Sequence, residues 1–398
     1  MNRGLQITIG AMVALVLVLA AFAGGVAVGR YVEHPSMVIP LADAPEPNPA
    51  DKLLDEVRDT IKAEALKPSS DDSMTANAIT GMLESLDDPY ASYFDVKHYK
   101  YFQEDTEGTF GGIGVTLSVK EGTATIVSIL ASDTPAAKAG LKAGDEIYKV
   151  DGWRQANWTS EQVVSRVRGK EGTKVTLTMR RKGAKDFDVT ITRAKISTPN
   201  IQEEMIGKDV GYIRLYSFNA QASDDVRKAL DELDGKGAKG YVLDLRENPG
   251  GLLAQGVGVA SLFVKDGPIV RVDQRGKPED VENATGNVAT TKPLVVLIDQ
   301  DSASASEILA GALQDYKRAT LVGVKSFGKG SVQTVRELDN GGAIKLTIAH
   351  YLTPKGRSID RKGLMPDVVV PMDPNKQADK STDLQLQEAV RRLRMELK

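Results

Sequence analysis

The sequence predicts an α/β protein of several domains that follow an N-terminal membrane segment. Residues 4–29 carry no charge. Residues 108–194 contain glycine loops between short alternating strand patterns, and residues 195–375 alternate apolar strand patterns with helical patterns. Such alternation is typical of an α/β core with mixed sheet edges, and 398 residues are enough for two or three domains.

Composition excludes several classes of function. The formal net charge of −3 gives no nucleic-acid signature, and hydrophobic residues at 41% support real cores. The chain has no cysteine, which excludes disulfides and thiolate metal sites and fits an oxidising compartment. No cluster of residues has metal-ligand spacing. We therefore predict no cofactor, no metal and no nucleic-acid partner.

The uncharged stretch between Arg3 and Arg30 predicts membrane contact. As a helix it would span about 39 Å, enough to cross a bilayer. We interpret residues 1–30 as a signal anchor, with a signal peptide cleaved after Ala23 as the alternative. Either interpretation exports the bulk of the chain. The proline-rich residues 31–50 are a predicted linker.

Residues 51–107 form a predicted helical N-terminal region. Helical patterns cover 51–66 and 73–86, and Asp87-Asp88-Pro89-Tyr90 follows as a turn.

Residues 108–194 form the next predicted unit. Strand patterns lie at 111–117, 124–129, 174–180 and 187–193, and a helix at 159–167 has Thr159 and Gln162 placed for a capping box.

Residues 195–375 form the predicted core, and residues 376–398 its C-terminal extension with a helix at 382–397. In the core we predict helices at 223–233, with Ser223 and Asp224 as cap residues, and at 252–263. Predicted strands lie at 210–218, 240–245, 269–272, 294–298, 320–324, 332–338, 343–352 and 368–370.

Five small residues, 302–306, follow the apolar strand pattern at 294–298, and a helical pattern with Ile308, Leu309, Ala312 and Leu313 on one face begins after them. Serines therefore lie at a strand-to-helix turn, where free backbone N–H groups favour negative charge. Acyl transfer needs its nucleophile and its oxyanion donors at such a place.

A serine nucleophile needs a base, and none of the three histidines, His34, His98 and His350, is suitably placed. Lysine is the other common partner. Lys329 lies between two glycines, which allow close backbone approach. Burial would have to lower its pKa from ~10.4 to ~7–8, at a cost of about 4 kcal/mol.

The segments Ser-Ala-Ser-Ala-Ser-Glu-Ile-Leu-Ala-Gly-Ala-Leu-Gln-Asp at 302–315 and Phe-Gly-Lys-Gly-Ser-Val-Gln at 327–333 resemble the catalytic segments of carboxyl-terminal processing proteases. The resemblance implies Ser304 as nucleophile, Lys329 as base, Gln333 as support for the lysine, and a ClpP/crotonase-like fold for the core. Ser326-Phe-Gly-Lys329 formally matches the Ser-x-x-Lys motif of penicillin-binding enzymes, but the accompanying motifs are absent from the sequence.

The oxyanion donors are predicted at the turn that ends the strand at 240–245. Gly250 and Gly251 leave backbone N–H groups unobstructed there, and we nominate one of them together with the N–H of Ala305. An ordinary strand-to-helix turn is the alternative for the glycines. Glu307 lies one helical turn beyond Ser304, where it either orients a neighbour or caps the helix.

The unit at 108–194 resembles a PDZ domain, carried by Pro-Ala-Ala-Lys-Ala-Gly-Leu-Lys-Ala-Gly-Asp at 135–145. Gly112, Ile113, Gly114 and Val115 match its carboxylate-binding loop, whose free N–H groups would hold a peptide C-terminus. Arg168 is a candidate contact to the core or to the bound tail, with a solvated helix-end cation as the alternative.

We therefore predict a serine endopeptidase that cleaves exported proteins near their C-termini after the PDZ domain recognises the substrate tail. Its expected location is the periplasmic side of the cell envelope, as a homo-oligomer anchored to the inner membrane, and the PDZ domain is a candidate for gating activity. Two alternatives are a catalytically inactive PDZ scaffold and an acyl-CoA enzyme of crotonase type.

Overall fold

The computed structural model describes residues 48–154, 157–371 and 381–398. The predicted membrane segment, the first part of the linker and His34 lie outside the described residues. Among the described residues, no helix is both long enough and apolar enough to cross a bilayer.

Two helices, a short strand and a third helix precede the glycine-rich unit. Their bounds are α1 Pro49–Glu64, α2 Asp71–Glu84, β1 Ser92–Phe94 and α3 Val96–Glu107. The Asp95 carboxylate caps α3 by accepting from the His98 N–H, and Gly108 ends α3 in the left-handed conformation that favours glycine. β1 and α3 are absent from the sequence-based prediction.

The predicted PDZ unit is a five-stranded antiparallel sheet, β3 to β7 in order, with two helices. Its elements are β2 Thr109–Gly112, β3 Val115–Lys120, β4 Thr123–Ile129, α4 Pro135–Lys138, β5 Glu146–Val150, α5 Ser160–Val167, β6 Lys174–Arg180, β7 Phe187–Thr192 and β8 Ala194–Ser197. The capping box predicted for α5 is present, since Thr159 and Gln162 exchange both hydrogen bonds. β2 and β8 form a separate antiparallel ribbon.

The remaining residues build a larger α/β core. Its elements are β9 Ile201–Ile206, β10 Val210–Leu215, α6 Ala222–Gly235, β11 Gly240–Asp244, α7 Leu253–Ser261, β12 Pro268–Gln274, β13 Asp280–Asn283, β14 Leu294–Ile298, α8 Ala305–Asp315, β15 Thr320–Gly323, β16 Ser331–Glu337, β17 Ala343–Leu352, β18 Val368–Val369 and α9 Leu384–Glu396. The cap predicted for α6 is wrong, because Gln221 precedes the helix and no side chain caps it.

The central sheet of this core has six strands in the order β18-β15-β14-β11-β10-β9. All neighbours are parallel except β9, which runs antiparallel to β10. One apolar core joins this sheet to α6, α7 and α8, and another joins it to α9. The carboxyl ends of β11 and β14 are adjacent, so the turns that follow them meet at one edge of the sheet.

A second sheet of the core is organised around the long strand β17. β17 pairs with β1, β12 and β16, and β12 pairs with β13, all antiparallel. β17 therefore links the N-terminal strand β1 with β16, which follows the loop that contains Lys329.

A buried ionic cluster joins α9 to the end of β11. The Arg246 guanidinium contacts Asp244 at 2.6 Å and Asp383 at 2.8 Å, and the three side chains are 3%, 0% and 1% exposed. Asp383 also accepts from the Leu386 N–H and so caps α9. The cluster fixes the chain just before the turn at 248–251.

Candidate active site

Ser304 lies in the turn between β14 and α8. Its φ of 57° and ψ of −117° are unusual for a residue with a side chain, and such strain is concentrated at functional sites. The neighbouring serines are structural, because Ser302 Oγ donates to the Leu245 carbonyl and Ser306 Oγ to the Asn248 carbonyl. Both are fully buried, whereas Ser304 is half-buried. The geometry thus singles out Ser304 among the three.

The turn after β11 packs directly against Ser304. A Cβ on Gly250 would lie 2.7 Å from the Ser304 Cβ and 2.6 Å from the Ala303 carbonyl oxygen, so only glycine fits beside the turn. A Cβ on Gly251 would lie 2.4 Å from the Phe218 carbonyl oxygen, and its φ of 148° also requires glycine.

The backbone donors around Ser304 differ in their engagement. The Gly250 N–H donates to Asn248 Oδ1 at 2.9 Å and is therefore occupied. Within the described chain, the N–H groups of Gly251 and Ala305 have no hydrogen-bond acceptor. Of the two predicted glycines, Gly251 is thus the one with an unengaged donor.

Glu307 connects the turn of Ser304 with the loop of Lys329. Its carboxylate accepts from the Ser304 N–H at 3.0 Å, the Gly328 N–H at 2.8 Å, the Lys329 N–H at 2.9 Å and the Ser326 hydroxyl at 2.5 Å. The side chain is 1% exposed. Burial raises the pKa of Glu307, and these hydrogen bonds act in the opposite direction. Glu307 therefore does more than cap α8.

Lys329 lies on the loop that leads into β16. Burial, and then Lys345, lower the pKa of Lys329, while Asp88 and Glu307 oppose the shift. Its Nζ lies 4.9 Å from the centroid of the Tyr90 ring. Across the described residues no hydrogen bond joins the Lys329 side chain to Ser304, although both residues line the same cavity.

Tyr351, on β17, contacts Ser304 itself. Its hydroxyl donates to Ser304 Oγ at 2.9 Å. Burial raises the pKa of Tyr351 above its ordinary value, so the hydroxyl keeps its proton. Sequence reasoning missed Tyr351. The only signal was its place in the strand pattern at 343–352, next to His350.

Gln333 lies on β16, and its side-chain amide donates to Ser331 Oγ at 2.8 Å and to Thr347 Oγ1 at 3.4 Å. The predicted contact with Lys329 is therefore absent from this arrangement, although both side chains border the same space.

A cavity of about 610 Å³ brings the predicted site residues together. We call it the catalytic cavity. Three groups of residues line it: Phe102, Asp105 and Thr106 from α3; residues 217–219 and 249–253, which follow β10 and β11; and Ser304, Ala305, Ile308, Lys329, residues 331–335, Lys345 and Tyr351. Its wall is mostly apolar around a few polar groups, as expected of a site for a peptide side chain.

The two histidines of the described residues, His98 and His350, do not line this cavity. His98 Nδ1 lies 2.9 Å from Asp95 on α3, and His350 Nδ1 lies 4.0 Å from Asp360. Both side chains are about half exposed, and neither is among the residues that line the catalytic cavity. Nowhere in the described chain do three acidic or histidine side chains come together to hold a metal ion.

The glycine loop at 112–115 lies at the start of β3, the edge strand of its sheet. The Ile113 side chain is 1% exposed in the core of the unit, and its carbonyl accepts from the Ala136 N–H. In the described structure the N–H groups of Ile113 and Gly114 have no acceptor. The loop thus offers backbone donors, while Gly112 and Val115 pair within strands.

Arg168 follows α5 and contacts α3. Its guanidinium lies 3.2 Å from Glu104 Oε2 and 4.1 Å from the centroid of the Phe110 ring. Arg168 therefore connects the predicted PDZ unit to the helix that lines the catalytic cavity, rather than reaching Ser304 itself.

Comparison with known proteins places these features in a wider group. The sequence profile of peptidase family S41 matches residues 209–370, and that of the PDZ domain matches residues 111–191. The carboxy-terminal processing protease CtpA of Bacillus subtilis is 40% identical over 316 residues, 79% of this chain and 68% of that protein. The carboxy-terminal-processing protease of Bartonella bacilliformis is 42% identical over 323 residues, 79% of this chain and 74% of that protein.

A solved structure is similar as well. That of the photosystem II D1 C-terminal processing protease has a TM-score of 0.50 at 30% identity, and the match covers 87% of this chain and 97% of that one. The matches include both the glycine-rich unit and the core that carries Ser304.

Proposed function

This chain belongs to peptidase family S41, the carboxyl-terminal processing proteases, and is a serine endopeptidase; from that premise we propose that Ser304 and Lys329 form its catalytic dyad. One observation carries the proposal. The strained Ser304, the half-buried Lys329 and the unengaged N–H groups of Gly251 and Ala305 all border one cavity.

The proposed reaction begins when neutral Lys329 accepts the proton of Ser304 Oγ as the oxygen attacks the scissile carbonyl. The N–H groups of Gly251 and Ala305 then stabilise the oxyanion of the tetrahedral intermediate. Lys329 returns the proton to the leaving amine, and water hydrolyses the acyl-enzyme by the same steps. Lys329 must first move from Tyr90 towards Ser304, where it replaces the contact with Tyr351.

Glu307 and Gln333 act as positioning residues in this proposal. Glu307 holds the Ser304 and Lys329 backbones at one fixed separation through hydrogen bonds to both N–H groups. Gln333 borders the same cavity as Lys329, and its side-chain amide donates to Ser331 and Thr347 in this structure. We propose that this amide supports Lys329 once the lysine has moved towards Ser304.

The PDZ domain, in our proposal, binds the C-terminal tail of a protein substrate. β3 has a free edge, to which an extended peptide could add as a strand, and the N–H groups of Ile113 and Gly114 could receive the terminal carboxylate. The ion pair between Arg168 and Glu104 supports a further role in gating, because it joins this domain to a helix that lines the catalytic cavity.

We further propose that the enzyme acts on the outer side of a membrane as a homo-oligomer held by residues 4–29. The uncharged length of that stretch supports the proposal. A mature N-terminus at Gly24, found by sequencing the protein from cells, would replace the anchor by a cleaved signal peptide.

Casein digestion tests the dyad. Ser304→Ala and Lys329→Ala should each abolish proteolysis while the circular dichroism of the fold is retained, because each removes one partner of the proton transfer. Lys325→Ala is the matched control, since Lys325 is exposed on the same loop. A folded Lys329→Ala variant that keeps activity, while a His98→Ala/His350→Ala double variant loses it, would refute the assignment.

The same assay separates an enzyme from the inactive PDZ scaffold. A scaffold would leave casein intact in the unmodified chain even when a tailed peptide is bound, whereas the proposed enzyme digests it.

A further inference from the structure

The turn that precedes β1 is attached to the core far from it in sequence. β1 pairs with β17, with Ser92 opposite Lys345 and Phe94 opposite Ala343. Asp88 Oδ2 accepts from the Thr347 N–H at 3.1 Å, and Asp88 Oδ1 accepts from the Tyr90 N–H at 3.0 Å. These bonds fix the turn on β17, beside the loop of Lys329.

Tyr90 projects from this turn onto the lysine. The distance of 4.9 Å between Lys329 Nζ and the ring centroid is within the range of a cation–π interaction. An aromatic face attracts an ammonium group and offers no comparable attraction to a neutral amine. The contact therefore favours the protonated form of Lys329, which cannot accept the proton of Ser304.

We propose that Tyr90 is a positioning residue that holds Lys329, in its charged form, away from Ser304 until substrate is engaged. This inference rests on the proposed role of Lys329 as base. It places part of the active site in the segment that precedes the PDZ domain, where sequence analysis predicted only a turn.

Other charged groups also face Lys329. Lys345 on β17 acts against the ammonium, whereas Asp88 on the turn and Glu307 on α8 act in its favour. Asp360 and Arg361, from the loop after β17, have opposite effects on Tyr90: the negative Asp360 raises the pKa of its phenol, and the positive Arg361 lowers it. Burial, then Asp360 and Glu307, raise the pKa of the Tyr90 phenol, so its ring stays neutral while Lys329 titrates.

The contact with the Tyr90 ring determines the direction in which its removal changes the pKa of Lys329. Burial lowers the pKa of Lys329, and the ring opposes that shift because it stabilises only the cation. Removing the ring should lower the pKa further. More enzyme would then carry a neutral base at a given pH, and the acid limb of the activity profile would move to lower pH.

The test compares Tyr90→Leu with Tyr90→Phe in the full chain. We expect the acid limb of kcat/KM for a short peptide to move down by about half a pH unit in Tyr90→Leu. Tyr90→Phe keeps the ring and should match the unmodified enzyme. Coincident profiles for the two variants, whether shifted or not, would overturn the proposal, because only the aromatic face distinguishes them.

A second measurement does not need activity. In the Ser304→Ala chain, the Lys329 side chain labelled with ¹³C at Cε can be titrated by NMR. Its midpoint should be lower when the chain also carries Tyr90→Leu than when it carries Tyr90→Phe. Equal midpoints would overturn the proposal, and so would a higher midpoint with Tyr90→Leu.

A folding failure of Tyr90→Leu and an error in the proposed dyad can each be distinguished from a failure of the inference. If Tyr90→Leu does not fold, Tyr90→Met takes its place, because it also removes the ring and keeps an apolar side chain. Full activity of Lys329→Ala would instead refute the proposed dyad, on which the inference depends.

Discussion

At the scale of single residues, the geometry of the site depends on two positions that restrict which residue type can occupy them. Ser304 holds a backbone conformation that side chains rarely adopt, and Gly250 leaves no room for a Cβ beside it. The Glu307 carboxylate joins the two segments by accepting hydrogen bonds from the Ser304 N–H and the Lys329 N–H. The relative placement of Ser304 and Lys329 thus depends on backbone contacts more than on their two side chains.

Gly250→Ala tests this dependence. The new methyl group must displace Ala303 or Ser304, and its φ of 97° is strained for alanine, so kcat should fall by at least about 100-fold. Gly235→Ala is the control, because a Cβ at that helical site meets nothing within 4 Å and activity should be retained. Steady-state kinetics on a quenched peptide measures both, and near-normal kcat in Gly250→Ala would contradict the tight fit.

Lys329→Met tests the cost of burying the Lys329 ammonium. The pKa of Lys329 is lowered on folding by burial first and then by Lys345, so the folded state disfavours the cation. The loss of stability is complete below the folded pKa and disappears as the pH rises through the unfolded pKa of about 10.4.

The melting temperature of Lys329→Met should therefore exceed that of the unmodified chain at about pH 7, with the gain shrinking towards about pH 10. Scanning calorimetry at both pH values measures it, and Lys325→Met serves as the exposed control. A Lys329→Met chain that melts lower than the unmodified chain at neutral pH would contradict a disfavoured cation.

At the scale of elements, the sequence predicted the strands and the helix cap that depend on a local residue pattern. The structure has β14 at 294–298 and β17 at 343–352 as predicted, because apolar or β-branched runs mark them, and the capping box of α5 depends on two residues three apart. β1 has only three residues, and α3 buries none of its side chains, so neither carries a usable period.

The same reasoning explains what was missed in the site. Ser304 and Lys329 could be nominated from the sequence because short local segments carry them, and both residues line the catalytic cavity. Tyr351 and Tyr90 reach them only because β17 pairs with β1 and β16, and no local pattern reports a pairing across so long a separation. The Gly250 N–H was nominated as a possible oxyanion donor, but it donates to the Asn248 side chain, a hydrogen bond that sequence spacing does not reveal.

Asp383→Asn tests the attachment of α9 to the central sheet. It removes one carboxylate from the fully buried Arg246, so the free energy of unfolding should fall by about 3 kcal/mol. Asp209→Asn breaks the partly exposed pair with Arg394 and should cost about 1 kcal/mol or less. Urea denaturation compares them, and equal losses would show that burial of the cluster contributes little.

At the scale of the whole molecule, the catalytic cavity is assembled from segments on both sides of the PDZ domain. α3 precedes that domain, and the turns at 248–251 and 302–305 follow it. Arg168 contacts Glu104 on α3, next to the cavity-lining Asp105, so the proposed gating has a continuous path from the PDZ domain to the cavity wall. This layout favours gating over simple tethering.

Excision of residues 113–193 distinguishes gating from tethering. Gly112 and Ala194 are partners across the β2–β8 ribbon, so an Asn-Gly turn can join them. We expect both a higher KM for tailed substrates and a changed kcat for a short tailless peptide. Arg168→Ala should change the same kcat. Arg180→Ala should not, because the partly exposed Arg180 pairs with Asp186 inside the same domain. An unchanged kcat after excision would leave tethering alone.

The buried cluster of Arg246 also has a consequence in time. Asp383 follows Arg246 by 137 positions, so the ribosome must add all of them before the second carboxylate exists. At ~5–20 residues per second this takes roughly 10 s. During that interval the turn at 248–251 has been synthesised, but Arg246 still lacks its ion pair with Asp383. A nascent chain therefore completes this buried cluster only near the end of its synthesis, after the segments that carry Ser304 and Lys329 have been made.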